Sequence, residues 1–173
     1  MEVGTNSGQP FRRQQGGSVD LPAALVATKP AGPSQNRAAQ AVVSQWAAID
    51  PPAATAWVMR FPKGETRDHA LQQVAGRWAS SDPSAAGQWL STFPADKARD
   101  ALVQSYIGST TYEYPELASV WAETISDANQ RIRTVENIVR NWLQSDRVSA
   151  EKWINQSSLP DDRKQSLLKL PQT

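Results

Sequence analysis

Apolar residues in this chain fall into two alternating windows, and the pair of windows recurs every 32 residues. In the clearest unit, Asp50 to Ser81, Ala54, Trp57, Val58 and Phe61 stand at i, i+3, i+4 and i+7, the apolar stripe of an amphipathic helix. Asp50 precedes that stripe as a capping residue. Pro51 suits the first helical turn, where a missing N–H costs nothing. Pro62, Lys63 and Gly64 then interrupt the pattern. Beyond them Ala70, Leu71, Val74, Ala75 and Trp78 at i, i+1, i+4, i+5 and i+8 predict a second helix. Each unit reads as a helical hairpin.

A shift of 32 gives Asp82-Pro83 with Ala86, Trp89, Leu90 and Phe93, followed by Leu102, Val103, Tyr106 and Ile107. The next gives Pro115, Ala118, Trp121, Ala122 and Ile125, then Val135, Ile138, Val139 and Trp142. The last keeps Asp146, Ala150, Trp153 and Ile154, then Leu167 and Leu170. Upstream, Val42, Val43 and Trp46 match Val74, Ala75 and Trp78. Leu25, Val26 and Pro30 align with Trp57, Val58 and Pro62, which predicts a degenerate first helix near residues 19–28 and a turn at 31–35. All seven tryptophans lie in two columns, Trp57, Trp89, Trp121, Trp153 and Trp46, Trp78, Trp142. The expected fold is all-α: a right-handed αα-solenoid of about five hairpins, with units near 18–49, 50–81, 82–113, 114–145 and 146–173. Residues 1–17 carry only Val3 and Phe11 as sizeable apolar groups and are expected to form a disordered tail.

Composition narrows the function classes. Eighteen basic against seventeen acidic side chains leave a net charge of +1, so electrostatic capture of nucleic acid is not expected. No stretch approaches the ~20 apolar residues of a membrane span, and no basic-then-apolar leader opens the chain. The chain therefore reads as soluble and not inserted in a membrane. Its polar start also suits a fragment cut from an upstream signal or anchor. The lack of cysteine excludes disulfides and thiolate-bound zinc without indicating a compartment, so localisation stays open.

The order of a helix ending in Trp-Ala, then Asp-Pro, then a helix with Ala and Trp resembles the tetratricopeptide class of αα-repeats over roughly residues 36–170, although the period is 32 rather than ~34. The phrase WAxxDPxAAxxWLxxFP, seen from Trp78 to Pro94, also resembles uncharacterised bacterial repeat proteins. The resemblance implies a non-enzymatic scaffold that holds a peptide or partner helix in its concave face. Two other classes compete: an accessory helical domain of a polysaccharide-processing enzyme, and a self-assembling repeat protein that forms homo-oligomers.

Candidate chemistry is sparse. The tryptophan column at 57, 89, 121 and 153 is either core or an aromatic ladder along a groove. Arg67, Arg99, Arg131 and Arg163 form a second column at the start of each second helix, where the helix dipole disfavours a cation. Their guanidinium groups either pair with the capping Asp50, Asp82 and Asp146, stack on a tryptophan, or grip carboxylates of an acidic partner. The repeat breaks at Gly108 to Tyr114, where Thr110 replaces a tryptophan and Tyr114 replaces a capping aspartate. Either a relaxed joint lies there, or Tyr112, Glu113 and Tyr114 form a binding patch. His69, the only histidine, has no second ligand at metal spacing. No phosphate loop, nucleophile elbow or paired-acid pattern is present, so no catalytic residue, metal or cofactor is expected.

Overall fold

A capping aspartate, a proline at the first helical position, or both mark the starts Asp50-Pro51, Asp82-Pro83, Pro115 and Asp146. The computed structural model describes residues 42–171. The expected tail at 1–17, the degenerate helix near 19–28 and its turn at 31–35 lie outside the described residues. Among the described residues the chain is all-helical, with nine helices and no strand. These are α1 (42–49), α2 (Pro51–Val58), α3 (Glu65–Ser81), α4 (Pro83–Leu90), α5 (Lys97–Thr110), α6 (Pro115–Ala122), α7 (Ala128–Ser145), α8 (Arg147–Gln156) and α9 (Asp161–Leu168).

Asp50, Asp82 and Asp146 share one backbone shape, with φ/ψ of −143/79, −146/87 and −146/86. Each side chain accepts the backbone N–H three residues on, from Ala53, Ala85 and Ser149 at 3.0, 2.9 and 3.1 Å. Each N–H meanwhile bonds at 2.8 Å to the carbonyl of Trp46, Trp78 or Trp142. One residue thus closes a helix and opens the next, satisfying groups orphaned at both ends. Tyr114 takes a similar backbone shape, but its side chain accepts nothing there.

The first helices are shorter than their apolar stripes. α2, α4 and α6 stop at Val58, Leu90 and Ala122. Each then tightens into i→i−3 bonds, as from Arg60 to Trp57 and from Phe61 to Val58. Pro62 and Pro94 follow the phenylalanines Phe61 and Phe93, which lie beyond the helix ends. Phe61 and Phe93 still pack edge-on to Trp57 and Trp89, at 4.6 and 5.1 Å between ring centroids. The second helices have starts that the apolar pattern does not reveal. Asp96 and Asp127 cap α5 and α7 through the N–H groups of Arg99 and Gln130. Gly64 precedes α3 at φ +147, a conformation that favours glycine.

Each helix packs on the next along the chain, and α3 also lies broadly against α5. Gly76 permits that close approach: a Cβ there would stand 3.2 Å from the Ser109 hydroxyl and 3.5 Å from the Ser105 carbonyl. α9 folds back on α7 and α8. A continuous core runs through Val58, Val74, Leu90, Val103, Val139 and Ile154, all fully buried. Trp57 and Trp142 are buried in it. Trp46, Trp78, Trp89, Trp121 and Trp153 are half-buried against it, so part of each ring reaches the surface.

Candidate functional site

Tryptophans join successive hairpins in pairs. Trp46 meets Trp57, Trp78 meets Trp89, and Trp142 meets Trp153, with ring centroids 6.0, 5.5 and 6.3 Å apart. Thr110 cannot make the equivalent pair with Trp121. Tyr106, one turn earlier on α5, does so at 5.6 Å. Its hydroxyl donates to the Pro83 carbonyl at 3.1 Å. Burial pushes the phenol above the ordinary 10.0, with a hydrogen bond to Trp121 acting in the opposite direction. Thr110 is fully buried beside it and donates to the Tyr106 carbonyl at 2.9 Å. The core is therefore closed at the break by a different aromatic residue.

The neighbouring surface is open. α5 and α7 do not pack along their lengths as α3 and α5 do, and a cleft of about 360 Å³ lies between them. Its polar lining is Gln104, Thr111, Tyr112, Thr134, Asn137 and Asn141, beside Gly108 and the buried Ile107 and Ile138. Gln104 Nε2 spans the cleft to Thr134 Oγ1 at 3.1 Å. No charged side chain lines it. Asn137 and Asn141 are exposed one turn apart on α7, and Tyr112 is 87% exposed. Carboxamides offer both donors and acceptors, matching the alternating groups of a peptide backbone. The tyrosine ring adds contact area at small entropic cost.

The four arginines are placed differently from one another. Arg67 donates to the sulfur of Met59 at 3.0 Å. Arg99 is buried 5.4 Å over the ring of Trp121 and donates to the Thr124 hydroxyl at 3.2 Å. Its Nε has no hydrogen-bond partner. Arg131 donates to the Ile125 carbonyl at 2.6 Å. Arg163 pairs with Glu136 at 3.3 Å and Asp162 at 3.5 Å. None of these partners is Asp50, Asp82 or Asp146, whose carboxylates cap helices instead. A row of four parallel forks is not assembled.

Tyr112, Glu113 and Tyr114 are likewise divided. Tyr112 lines the cleft, whereas Tyr114, 40% exposed, stands at the start of α6. A hydrogen bond with Glu113, reinforced by its negative charge, raises the Tyr114 pKa above 10.0. The amide lining was missed in the sequence because it carries no charge and no aromatic column. Its signal is helical spacing: Gln104, Gly108 and Thr111 at i, i+4 and i+7, and Thr134, Asn137 and Asn141 at i, i+3 and i+7.

His69 is exposed on α3, in a shallow depression with Gln72, Gln73 and Ser105. Among the described residues no three His, Cys, Asp or Glu side chains are grouped to hold a metal, and no helix is long and apolar enough to cross a membrane. No family model, curated protein or solved structure matches the chain.

Proposed function

We propose that this chain is a non-enzymatic protein-interaction scaffold: a right-handed, tetratricopeptide-like αα-solenoid that holds an extended peptide segment of a partner between α5 and α7. The recurrence of the Asp cap, the inter-hairpin aromatic pair and the tightened helix end at steps of 32 residues supports stacked equivalent hairpins. The closer approach of α3 to α5 than of α2 to α4 supports packing of successive hairpins through their second helices, and the cleft opens at the next such pair, α5 and α7. The observation that carries the reading is the uncharged amide and hydroxyl lining of that cleft, with an exposed tyrosine at its edge.

Selection of a random peptide library on the full chain tests it. Convergent peptides should emerge, and Tyr112→Ala or Asn137→Ala with Asn141→Ala should weaken them at least about tenfold, about 1.4 kcal/mol. Failure to converge, or binding indifferent to those substitutions in folded protein, would rule the cleft out.

A further inference from the structure

α6 presents a row of apolar side chains to solvent, where its counterpart α8 exposes the single Val148. Tyr114, Leu117 and Val120 are 40%, 40% and 49% exposed. They follow one another at three-residue steps along one broad side of the helix. The residues 32 positions before are Asp82, Ala85 and Gln88, and those 32 positions after are Asp146, Ser149 and Lys152. Among the described first helices, counting Asp50, Ala53 and Ala56 of α2, only α6 carries large apolar side chains at all three positions.

The chain segment that carries it has one sign of charge. Between Arg99 and Arg131 the chain contains no lysine or arginine, but it contains Asp100, Glu113, Glu116, Glu123 and Asp127. Three of these carboxylates are engaged within the fold, Asp127 as the cap of α7 through the Gln130 N–H. Asp100 is buried and accepts from Ser126, and Glu123 accepts the N–H and hydroxyl of Ser158 at 2.8 Å. Glu113 and Glu116 are exposed beside the strip. A face that is apolar along its middle and acidic at its edge complements a helix with the opposite edge.

We infer that the exposed side of α6 is a docking surface for an amphipathic partner helix whose apolar residues, at i, i+3, i+4 and i+7, are flanked by lysine or arginine. It is separate from the α5–α7 cleft but rests on the same interaction role. An exposed helix face needs no rearrangement to receive such a partner, and the carboxylates would disfavour an acid-flanked competitor.

The test uses the full chain and two synthetic amphipathic peptides with the same leucine pattern, one flanked by lysine and one by glutamate. Fluorescence anisotropy should show the lysine peptide binding on the order of micromolar and the glutamate peptide at least about tenfold more weakly. Leu117→Glu with Val120→Glu should abolish binding without changing the far-ultraviolet circular dichroism, since both side chains are exposed. Glu113→Lys with Glu116→Lys should reverse the preference. Tyr112→Ala and Asn137→Ala should leave it unchanged, which separates this surface from the cleft. Lack of binding, equal binding of both peptides, or binding indifferent to Leu117 and Val120 would overturn the proposal. So would a concentration-dependent mass of the protein alone that Leu117→Glu abolishes, because the occupant would then be a second copy.

Discussion

Tyr106 faces Trp121 at 5.6 Å, the aromatic contact that a tryptophan at position 110 would otherwise supply. The substitute comes from the preceding helical turn, and its hydroxyl ties α5 to the first residue of α4 through the Pro83 carbonyl. The aromatic contact between α5 and α6 is thereby kept. Tyr106→Ala should cost about 3–5 kcal/mol in a urea titration. Tyr106→Phe, which loses the hydrogen bond alone, should cost about 1 kcal/mol. Thr110→Trp should overpack the buried site and destabilise, but less so when combined with Tyr106→Val. A double-mutant cycle with additive effects would show that the two positions do not share one space.

Two glycines within helices should respond in opposite directions. A Cβ at Gly87 would stand 3.0 Å from Trp121 Nε1 and 3.2 Å from its Cζ2, against a half-buried ring held by Arg99 and Tyr106. Gly87→Ala should therefore destabilise by about 1–3 kcal/mol despite the gain in helix propensity. Gly108→Ala meets nothing within 4 Å and should stabilise by about 0.5–1 kcal/mol. Melting temperatures of the two variants check the contrast. A stabilised Gly87→Ala would mean that the Trp121 ring yields freely.

Asp100 is 4% exposed and accepts the Ser126 backbone N–H through both oxygens, at 3.0 and 3.1 Å, together with the Ser126 hydroxyl. It fixes the turn between α6 and α7 from the start of α5. Asp100→Ala should cost about 1.5–3 kcal/mol, the range for hydrogen bonds to a charged group. Asp68, 32 residues earlier, is exposed, and Asp68→Ala should change stability by no more than about 0.5 kcal/mol. Equal losses in chemical denaturation would place the effect of Asp100 in the helix terminus and not in the turn.

Hydrogen bonds from the Ser149 side chain and N–H lower the Asp146 pKa below 3.8. The unfolded chain therefore takes up this proton at higher pH than the folded chain does. The stability that the carboxylate contributes is complete above 3.8 and disappears as pH falls through the folded-state value. Asp146→Asn, which keeps a capping oxygen, should match wild type near neutral pH and lose less stability than wild type down to about pH 3. Urea midpoints at both pH values measure the difference. Parallel pH profiles would show that Asp146 does not contribute to the acid limb.

Helix class and the starts of most first helices were legible in the sequence because they rest on local physics. The capping oxygens of Asp50, Asp82 and Asp146 act within three residues, and the apolar stripes follow from the helical period alone. The aromatic columns also stood out, since burial of large rings forces the same residue into equivalent places. Phe61 and Phe93 mark the limit of that reading: the stripe continues through them, while the helices end at Val58 and Leu90. Identity of column did not imply identity of role for Arg67, Arg99, Arg131 and Arg163, because their partners lie on segments whose distance depends on packing. The replacement of a missing tryptophan by Tyr106 and the parting of α5 from α7 are likewise tertiary facts. The amide-lined cleft exists only because two helices, about 30 residues apart in sequence, meet through side chains such as Gln104 and Thr134 and do not pack along their lengths. Local hydrogen bonding and periodicity determined the elements; inter-helix distance, which no single residue encodes, decided what they jointly enclose.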